Sequence, residues 1–371
     1  MESEAAILWD GGTEWSVEPI ELDPPRHGEV LVELRAAGLC HTDDHFVKGD
    51  MVWPLPTIGG HEGAGVVVAV GPGVTRVAPD DHVVLNYMPI CGSCPSCTAG
   101  RSRLCDRGAQ MGSGLQISDS TSRHRARGRD LTLICCLGTF ARHTVVHEDS
   151  CVPVDRDVPF DVAALLSCGA VTGWGSAVRT GSVAPGDTVA IVGAGGLGAA
   201  AIQGARLAGA RQIVAIDPVE LKREHAMRFG ATHVAPTMAE AFDLVSSITD
   251  GRMCTTVVLT MGVGDGSQIA HAMTLTAKAG TVVVTNAHPE HETTVHLSLA
   301  DLTIMEKRLV GSVFGGANAR TDIPLLIDLY RSGQFDLDGL ITRRYPLADI
   351  NLGYADLHAG INIRGVLDLA A

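Results

Sequence analysis

The stretch TVAIVGAGGLGAAAIQGARLAGARQIVAID, residues 188–217, decides the fold of the second half of this chain of 371 residues. An apolar strand (188–193) leads into a glycine-rich turn, a helical segment follows at 199–210, and a second strand covers 211–217. The turn, GAGGLG, has the Gly-x-Gly-x-x-Gly spacing, and an acidic residue ends the second strand, which is the context that a dinucleotide site requires. The sequence therefore predicts a parallel α/β unit that binds a dinucleotide.

The glycines and the acid of this turn have separate roles in such a site. Gly193 permits the tight turn, Gly195 lets the backbone approach a pyrophosphate, and Gly198 lets the helix pack on the strand. Asp217 lies about 20 residues further on, where a carboxylate accepts hydrogen bonds from an adenosine ribose and repels a 2′-phosphate, so NAD is favoured over NADP. Lys222 is placed to reach the same ribose, or is a solvated charge on a helix. The alternative for the glycine run is a turn without a ligand.

The two halves of the chain differ in their pattern. Valine-rich segments broken by Gly or Pro, such as 28–38, 63–71 and 80–87, predict short strands before residue 150. From residue 186 onward strands and helices alternate, which predicts a parallel sheet with crossover helices. The loop at 118–130 carries several arginines and is interpreted as a solvated polar loop. The length of the chain predicts two domains.

Charge and hydropathy exclude several classes of function. The formal net charge of −14 argues against binding to a phosphate backbone, so no nucleic-acid partner is expected. No apolar stretch approaches the ~20 residues that span a bilayer, and the N-terminus lacks a basic-then-apolar targeting pattern. We therefore expect a cytoplasmic protein that does not enter a membrane.

Four cysteines lie close together in the sequence Cys-x-x-Cys-x-x-Cys, seven residues and a fourth Cys. Four thiolates can surround one tetrahedral Zn²⁺ and leave no position for substrate, so this zinc would be structural. The alternative is a disulfide pair, which reducing compartments disfavour. The four residues are Cys91, Cys94, Cys97 and Cys105.

A second metal site is indicated by residues that are distant in sequence. Cys40 lies in GLCHTDDH (38–45), His61 in GGHEGAG (59–65), and Cys168 precedes the α/β half. Together they would form a Cys₂His zinc site with one open position, as in alcohol-oxidising zinc enzymes. Each residue alone has a structural alternative, because buried Cys is common and a lone His is usually satisfied in a core. Spacing alone does not show that the three converge.

These motifs occur in the order and with the separations of a known family. The chain resembles, over essentially its whole length, the zinc-containing alcohol dehydrogenases of the medium-chain dehydrogenase/reductase superfamily. Within that superfamily it is most similar to the actinobacterial nicotinoprotein alcohol dehydrogenases assayed with N,N-dimethyl-4-nitrosoaniline. The segments that carry this finer resemblance are IDPVELKRE (216–224), EKRLVGSVFGGANARTDIPLLIDLY (306–330) and INIRGVLDL (361–369).

The resemblance implies a fold of class α/β with two kinds of domain. A GroES-like β-rich catalytic domain would cover 1–170 and include the structural zinc lobe at 91–105. A Rossmann domain with a doubly wound parallel sheet would follow at 171–314, and the chain would return to the catalytic domain over 315–371. The active site would lie in the cleft between the domains.

The resemblance also implies roles for residues around the catalytic zinc. Thr42 would accept the substrate proton and relay it through the cofactor ribose to His45, for which an exposed histidine near a turn is the alternative. Asp43 would accept the ring N–H of His61 and fix its tautomer. Glu62 would lie behind the metal, unless it forms a plain structural salt bridge.

Further residues match positions that contact the cofactor or the substrate. By resemblance, the cofactor contacts beyond those derived above are His41, Thr172, Gly196, Leu197 and Arg364. Met51 and Tyr87 match substrate-pocket positions, and ordinary packing is the alternative for both. Glutathione-dependent formaldehyde dehydrogenases resemble this chain too, but they carry an Arg where Ala109 stands, which weakens that alternative.

The predicted function is the zinc-dependent oxidation of primary or secondary alcohols by hydride transfer to NAD, with two zinc ions per chain. The NAD would stay bound and be recycled in place by a second substrate or a redox partner. The alternatives are an ordinary NAD-exchanging alcohol dehydrogenase, a thiol-adduct formaldehyde dehydrogenase and, more remotely, a non-catalytic NAD-sensing protein. A homodimer or homotetramer is expected, and the apolar segment KRLVGSVFG (307–315) could pair across a two-fold axis.

Overall fold

A computed structural model describes residues 1–289 and 292–370. The strands are β1 Glu2–Leu8, β2 Ser16–Leu22, β3 Glu29–Gly38, β4 Thr57–Ile58, β5 Gly63–Val70, β6 His82–Leu85, β7 His124–Ala126, β8 Arg129–Asp130, β9 Thr132–Leu133, β10 His143–His147, β11 Cys151–Val154, β12 Thr188–Val192, β13 Gln212–Ile216, β14 His233–Ala235, β15 Cys254–Leu259, β16 Thr276–Val284, β17 Arg308–Gly311, β18 Ile341–Pro346 and β19 Arg364–Asp368. The α-helices are α1 His41–Lys48, α2 Pro95–Thr98, α3 Phe160–Leu165, α4 Gly169–Gly175, α5 Gly196–Leu207, α6 Glu220–Phe229, α7 Met238–Ile248, α8 Gly266–Leu275, α9 Leu299–Ile304, α10 Ala319–Arg331 and α11 Ile350–His358.

The chain divides into two compact units. The first unit contains residues 1–168, 318–328 and 337–371, and the second contains 169–317 and 329–336. The domain bounds inferred from the sequence stay a prediction.

The first unit is built from two β-sheets. One has the strand order β8-β7-β2-β1-β4-β9, and the other has the order β11-β6-β5-β3-β19-β18, with β10 pairing with β3. Strand β3 is long and central, and its inward-facing side chains, among them Val30, Val32 and Leu34, are buried in the main core cluster. The last strand, β19, is antiparallel to β3, with Val366 opposite Gly38. The end of the chain is thereby fixed beside the segment that leads to Cys40.

The second unit is built around a six-stranded sheet in the order β14-β13-β12-β15-β16-β17. Every strand pair in this sheet is parallel. Strand β12 is buried along its whole length, which is typical of a parallel sheet whose two faces are covered by helices. The predicted α/β class is confirmed.

Two local differences from the sequence prediction concern the ends of elements. Helix α5 begins at Gly196 rather than at residue 199, because the last glycines of the turn already form the first helical turn. The segment 307–315 is a strand only at Arg308–Gly311. Phe314 and Gly315 then adopt φ values of 52° and 65°, which are incompatible with an extended strand.

In the part of the chain that the structure describes, we find no helix long and apolar enough to span a bilayer.

The interpretation of residues 118–130 as a solvated loop is wrong for Arg123, which is fully buried. Its Nε lies 2.8 Å from Oε2 of Glu29, and one terminal nitrogen lies 2.6 Å from Oε1 of the same carboxylate. That nitrogen also lies 2.7 Å from Oδ2 of Asp119. Glu29 begins β3 and is buried as well, so a bidentate charged pair joins the loop to the central strand.

We expect Arg123→Ala to lower the free energy of unfolding by about 3–5 kcal/mol, because it leaves the Glu29 carboxylate buried without its cation. Chemical denaturation measures this change. The control is Arg129→Ala, which breaks a surface pair with Asp10 and should have a much smaller effect. Equal losses for the two variants would contradict the argument.

Candidate metal centres and dinucleotide turn

The structure brings the distant Cys and His residues of the second predicted metal site together. Cys40 follows β3 and immediately precedes α1, His61 and Glu62 lie between β4 and β5, and Cys168 lies between α3 and α4. One ligand atom from each of these four residues lies within 4.8 Å of the other three, and all four residues are buried. Two sulfurs, an imidazole and a carboxylate oxygen are a donor set that suits Zn²⁺.

The orientation of His61 is fixed by Asp43. Oδ2 of Asp43 lies 3.0 Å from Nδ1 of the imidazole, and its Oδ1 accepts a hydrogen bond of 3.0 Å from the Gly60 N–H. Within the described residues, Nε2 of His61 is buried and has no hydrogen-bond partner. Burial of a ring nitrogen without a partner is costly, and a role as a metal ligand accounts for it.

The protonation of this cluster is unusual. A hydrogen bond between the two sulfurs lowers the pKa of Cys40 well below its usual value and raises that of Cys168 well above it. Burial lowers the pKa of His61, but the charges of Asp43 and Cys40 outweigh burial and hold that pKa well above its usual value. Binding of a divalent cation to these side chains would therefore displace protons.

Glu62 is paired with a cation from the end of the chain. Burial raises the pKa of its carboxyl, and the opposing charge of Arg364 limits the rise. Arg364 is the first residue of β19, and its guanidinium donates a hydrogen bond to Glu62 Oε2. A Cβ at Gly38 would overlap the Glu62 carboxylate and approach the Arg364 guanidinium to 2.9 Å, so only glycine fits there. The predicted contact of Arg364 with a pyrophosphate stays a prediction.

The two residues of the predicted proton relay both lie on α1. Oγ1 of Thr42 is 3.6 Å from the sulfur of Cys40. The His45 side chain is only 2% exposed, so the alternative of an exposed histidine is wrong. Its Nδ1 lies 2.9 Å from Oδ2 of Asp50, whose side chain is 30% exposed. Asp50 was missed in the sequence, although its place just after the helix-ending Gly49 is a usable signal.

The remaining first-unit predictions have the following positions. The ring of Tyr87 stands edge-on to the His61 ring, with centroids 5.9 Å apart, and burial raises the pKa of its hydroxyl well above the usual value. Met51 and Tyr87 both pack against the main core cluster, so packing accounts for part of their burial. His41 is the first residue of α1 and is half-buried. Their roles toward substrate and cofactor stay predictions.

The four-cysteine lobe is also assembled. One sulfur from each of its cysteines lies within 4.8 Å of the others. The Cys91–Cys97 and Cys94–Cys105 sulfur pairs are each 4.0 Å apart. Four sulfurs at about 2.3 Å from one zinc lie about 3.8 Å apart, whereas a disulfide requires about 2.05 Å. The lobe fits a tetrahedral zinc and not a disulfide pair.

Backbone N–H groups of the lobe point at the sulfurs. The N–H of Ser93 and that of Cys94 donate to the Cys91 sulfur at 3.4 and 3.3 Å, and the N–H of Cys97 donates to the Cys94 sulfur at 3.5 Å. Burial raises the pKa of the Cys91 thiol, but the hydrogen bonds from Ser93 and Cys94 outweigh burial and lower that pKa to about 6. The fold of the loop therefore favours the thiolate at Cys91, whereas burial raises the pKa of Cys97 to about 12.

In the second unit, the glycine-rich turn has the geometry that its sequence predicts. Gly193 has φ +94°, and a Cβ there would lie 2.6 Å from the Met261 nitrogen. A Cβ at Gly198 would overlap the Gly193 carbonyl oxygen, so helix α5 packs directly on the end of β12. A Cβ at Gly195 would meet no protein atom within 4 Å, which leaves the approach to the N-terminus of α5 open.

The acid after β13 supports the turn. Asp217 is buried, and its Oδ2 accepts a hydrogen bond of 2.8 Å from the Ala194 N–H. Its Oδ1 accepts one of 2.9 Å from the Val219 N–H. The carboxylate retains free lone pairs for a ribose, but this contact stays a prediction. The other residues predicted to contact the cofactor lie at the start of α5 (Gly196, Leu197), on α4 (Thr172) and on α6 (Lys222).

Comparison with known proteins gives the family. Residues 26–156 match the family model of the alcohol dehydrogenase GroES-like domain, and residues 196–332 match that of the zinc-binding dehydrogenases. Alcohol dehydrogenase B of Mycobacterium tuberculosis is 48% identical over 99% of this chain and 98% of its own length. A zinc-binding alcohol dehydrogenase domain protein of Burkholderia ambifaria has a solved structure that superimposes with a TM-score of 0.91 at 32% identity, and the match covers 99% of both chains.

The chain belongs to the zinc-containing alcohol dehydrogenases of the medium-chain dehydrogenase/reductase superfamily. It is an NAD-dependent oxidoreductase that acts on alcohols, and zinc and NAD are its cofactors, as predicted. The alternative of a non-catalytic sensor is therefore wrong. The finer resemblance is confirmed as well, because the NDMA-dependent alcohol dehydrogenase of Amycolatopsis methanolica is 45% identical over 99% of each chain.

We expect two zinc ions per chain by elemental analysis, and about one in Cys168→Ala, because each cluster needs its full ligand set. The control is Cys254→Ala, which removes a buried thiol outside both clusters and should retain two. Two zinc ions in Cys168→Ala would show that this cysteine is not a ligand.

Proposed function

We propose that the enzyme oxidises primary or secondary alcohols to aldehydes or ketones with an NAD that stays bound and is recycled in place by a second substrate. The supporting observation is the full-length similarity to an alcohol dehydrogenase whose name states its dependence on NDMA. An enzyme that regenerates its own NAD with an added acceptor does not need to release the dinucleotide between turnovers.

For the catalytic centre we propose Cys40, His61 and Cys168 as the zinc ligands, with the fourth position left for the alcohol. Zinc held there supplies a Lewis acid that eases loss of the alcohol proton, and bound NAD accepts the hydride. Asp43 keeps the ligating ring nitrogen of His61 unprotonated by accepting from the other. The Arg364 guanidinium holds Glu62 in place as a carboxylate beside the two cysteines.

The proton released by the alcohol has a route along α1. We propose that the Thr42 hydroxyl accepts it and passes it through the ribose of bound NAD to His45, which lies three residues later on α1 and carries it outward. Asp50 completes the route, because its carboxylate bonds the buried His45 ring and reaches solvent.

The test of retained NAD uses the purified enzyme after extensive desalting. We expect denaturation to release about one NAD per chain, and we expect alcohol oxidation with NDMA to proceed without added NAD. Cys168→Ala is the control: it should retain the NAD and lose turnover, because it alters the metal site only. Absence of NAD in the extract, with full activity on added NAD alone, would favour the ordinary NAD-exchanging alternative.

We also propose that the enzyme is a homodimer or a homotetramer built through the second unit. Among the described strands, β17 ends the parallel sheet, so one of its sides is unpaired. Helix α9 exposes two large apolar side chains, Leu299 at 73% and Ile304 at 74%. An open strand edge and exposed apolar residues are features that proteins usually cover by association.

We expect sedimentation velocity to show an oligomer for the native enzyme and smaller species for the double variant Leu299→Glu, Ile304→Glu, because two buried charges would oppose association. Leu352→Glu, which places a charge at an exposed leucine of α11 in the first unit, is the matched control and should leave the oligomer intact. A native monomer, or a double variant that still associates, would contradict this proposal.

For the location in the cell we propose the cytoplasm. The support is that all ten cysteines are free, because disulfides are rare in proteins of reducing compartments such as the cytosol.

A further inference from the structure

The hydroxyl of Ser167 joins two distant segments of the first unit. Ser167 is fully buried and directly precedes Cys168. Its Oγ accepts a hydrogen bond of 3.0 Å from the Gly63 N–H and donates one of 2.9 Å to the Gly63 carbonyl oxygen. A hydroxyl has one donor and two acceptor positions, so both bonds form at once. The N–H and the carbonyl oxygen of Gly63 are thereby both bonded to the hydroxyl of Ser167.

Gly63 directly follows His61 and Glu62, so it ends the loop that carries these two residues of the metal site. Other hydrogen bonds also hold this loop, among them those in which the Gly60 N–H donates to Asp43 and the Thr139 hydroxyl donates to the Glu62 carbonyl oxygen at 2.9 Å. Unlike Asp43 and Thr139, Ser167 directly precedes a cysteine whose sulfur lies within 4.8 Å of a ring nitrogen of His61.

Cys168 is not part of a helix or a strand. It lies in the short connection between α3, which ends at Leu165, and α4, which begins at Gly169. The Ser167 N–H bonds the Ala164 carbonyl oxygen at 3.1 Å, which closes the end of α3 but does not reach the loop at His61. The serine hydroxyl therefore supplies a direct link between the segment that precedes Cys168 and the main chain that follows His61 and Glu62.

We propose that Ser167 is a positioning residue for the catalytic zinc, which holds the Cys168 sulfur in place relative to His61. The inference rests on the catalytic metal site proposed above. Loss of a partner that orients a ligand typically weakens metal binding by about 10–100-fold.

The experiment compares Ser167→Ala with a matched control. Ser122 is buried and makes a comparable double contact. Its Oγ accepts from the His124 N–H at 3.0 Å, and its one hydroxyl proton has two carbonyl acceptors in reach, His124 at 2.9 Å and Leu131 at 2.7 Å. Neither Ser122 nor His124 belongs to a metal cluster. Ser122→Ala therefore reproduces the loss of two buried hydrogen bonds without altering the ligand cysteine.

The measured quantity is the rate at which each zinc leaves the holoenzyme to a chromophoric chelator. Cys168→Ala is expected to keep only the zinc of the four-cysteine lobe. Its single phase of zinc release therefore shows which phase of the native enzyme belongs to the lobe. We expect Ser167→Ala to release the catalytic zinc about 10–100-fold faster, with the lobe phase unchanged. Ser122→Ala should leave both phases unchanged, and Ser167→Thr, which keeps the hydroxyl, should restore the native rate. Cobalt substituted at the catalytic site should show an altered thiolate charge-transfer band in Ser167→Ala alone.

Unchanged zinc release in Ser167→Ala, or equal acceleration in Ser122→Ala, would overturn the positioning role, since the second result would reflect a general loss of stability. If Ser167→Ala does not fold, Ser167→Gly takes its place with the same expected outcomes. A native enzyme that holds a single zinc would overturn the proposed catalytic site together with this inference, whereas a two-zinc native enzyme with unaltered Ser167→Ala overturns this inference only.

Discussion

The first unit depends on one electrostatic constraint, namely that several ionisable groups are buried around Cys40 and His61. Two thiols, an imidazole and the carboxyls of Asp43 and Glu62 share a region from which water is excluded. Such groups are tolerated only when their charges are paired, hydrogen-bonded or bound to a metal. Much of the surrounding structure can be understood as meeting this requirement.

The pairing of these charges joins three segments that are far apart in sequence, namely helix α1, the loop at His61 and Glu62, and strand β19. The Asp43 carboxylate on α1 bonds His61, and the Arg364 guanidinium on β19 bonds Glu62. The Glu62–Arg364 contact lies directly against Gly38, which therefore has no room for a side chain. A zinc ion bound to the cysteines adds the remaining positive charge, so metal binding and charge balance are the same event in this site.

The sequence predicts the local parts of this molecule well and the long-range parts less well. The turn at Gly193 and the spacing of the lobe cysteines are local patterns, and their geometry follows from backbone conformation and tetrahedral coordination. The role of Asp50 could be suspected only from its place after α1, because its bond to His45 depends on how the helix ends. The burial of Arg123 was not predicted, since its partner Glu29 lies on a strand that is remote in sequence.

The position of β19 has a consequence for folding. This strand pairs with β3, from which it is remote in sequence, and it carries the guanidinium that neutralises Glu62. Contacts between residues so far apart must close a long loop of chain, which makes their formation slow. We therefore expect the charges of the inner zinc site to be balanced only after these two strands have paired.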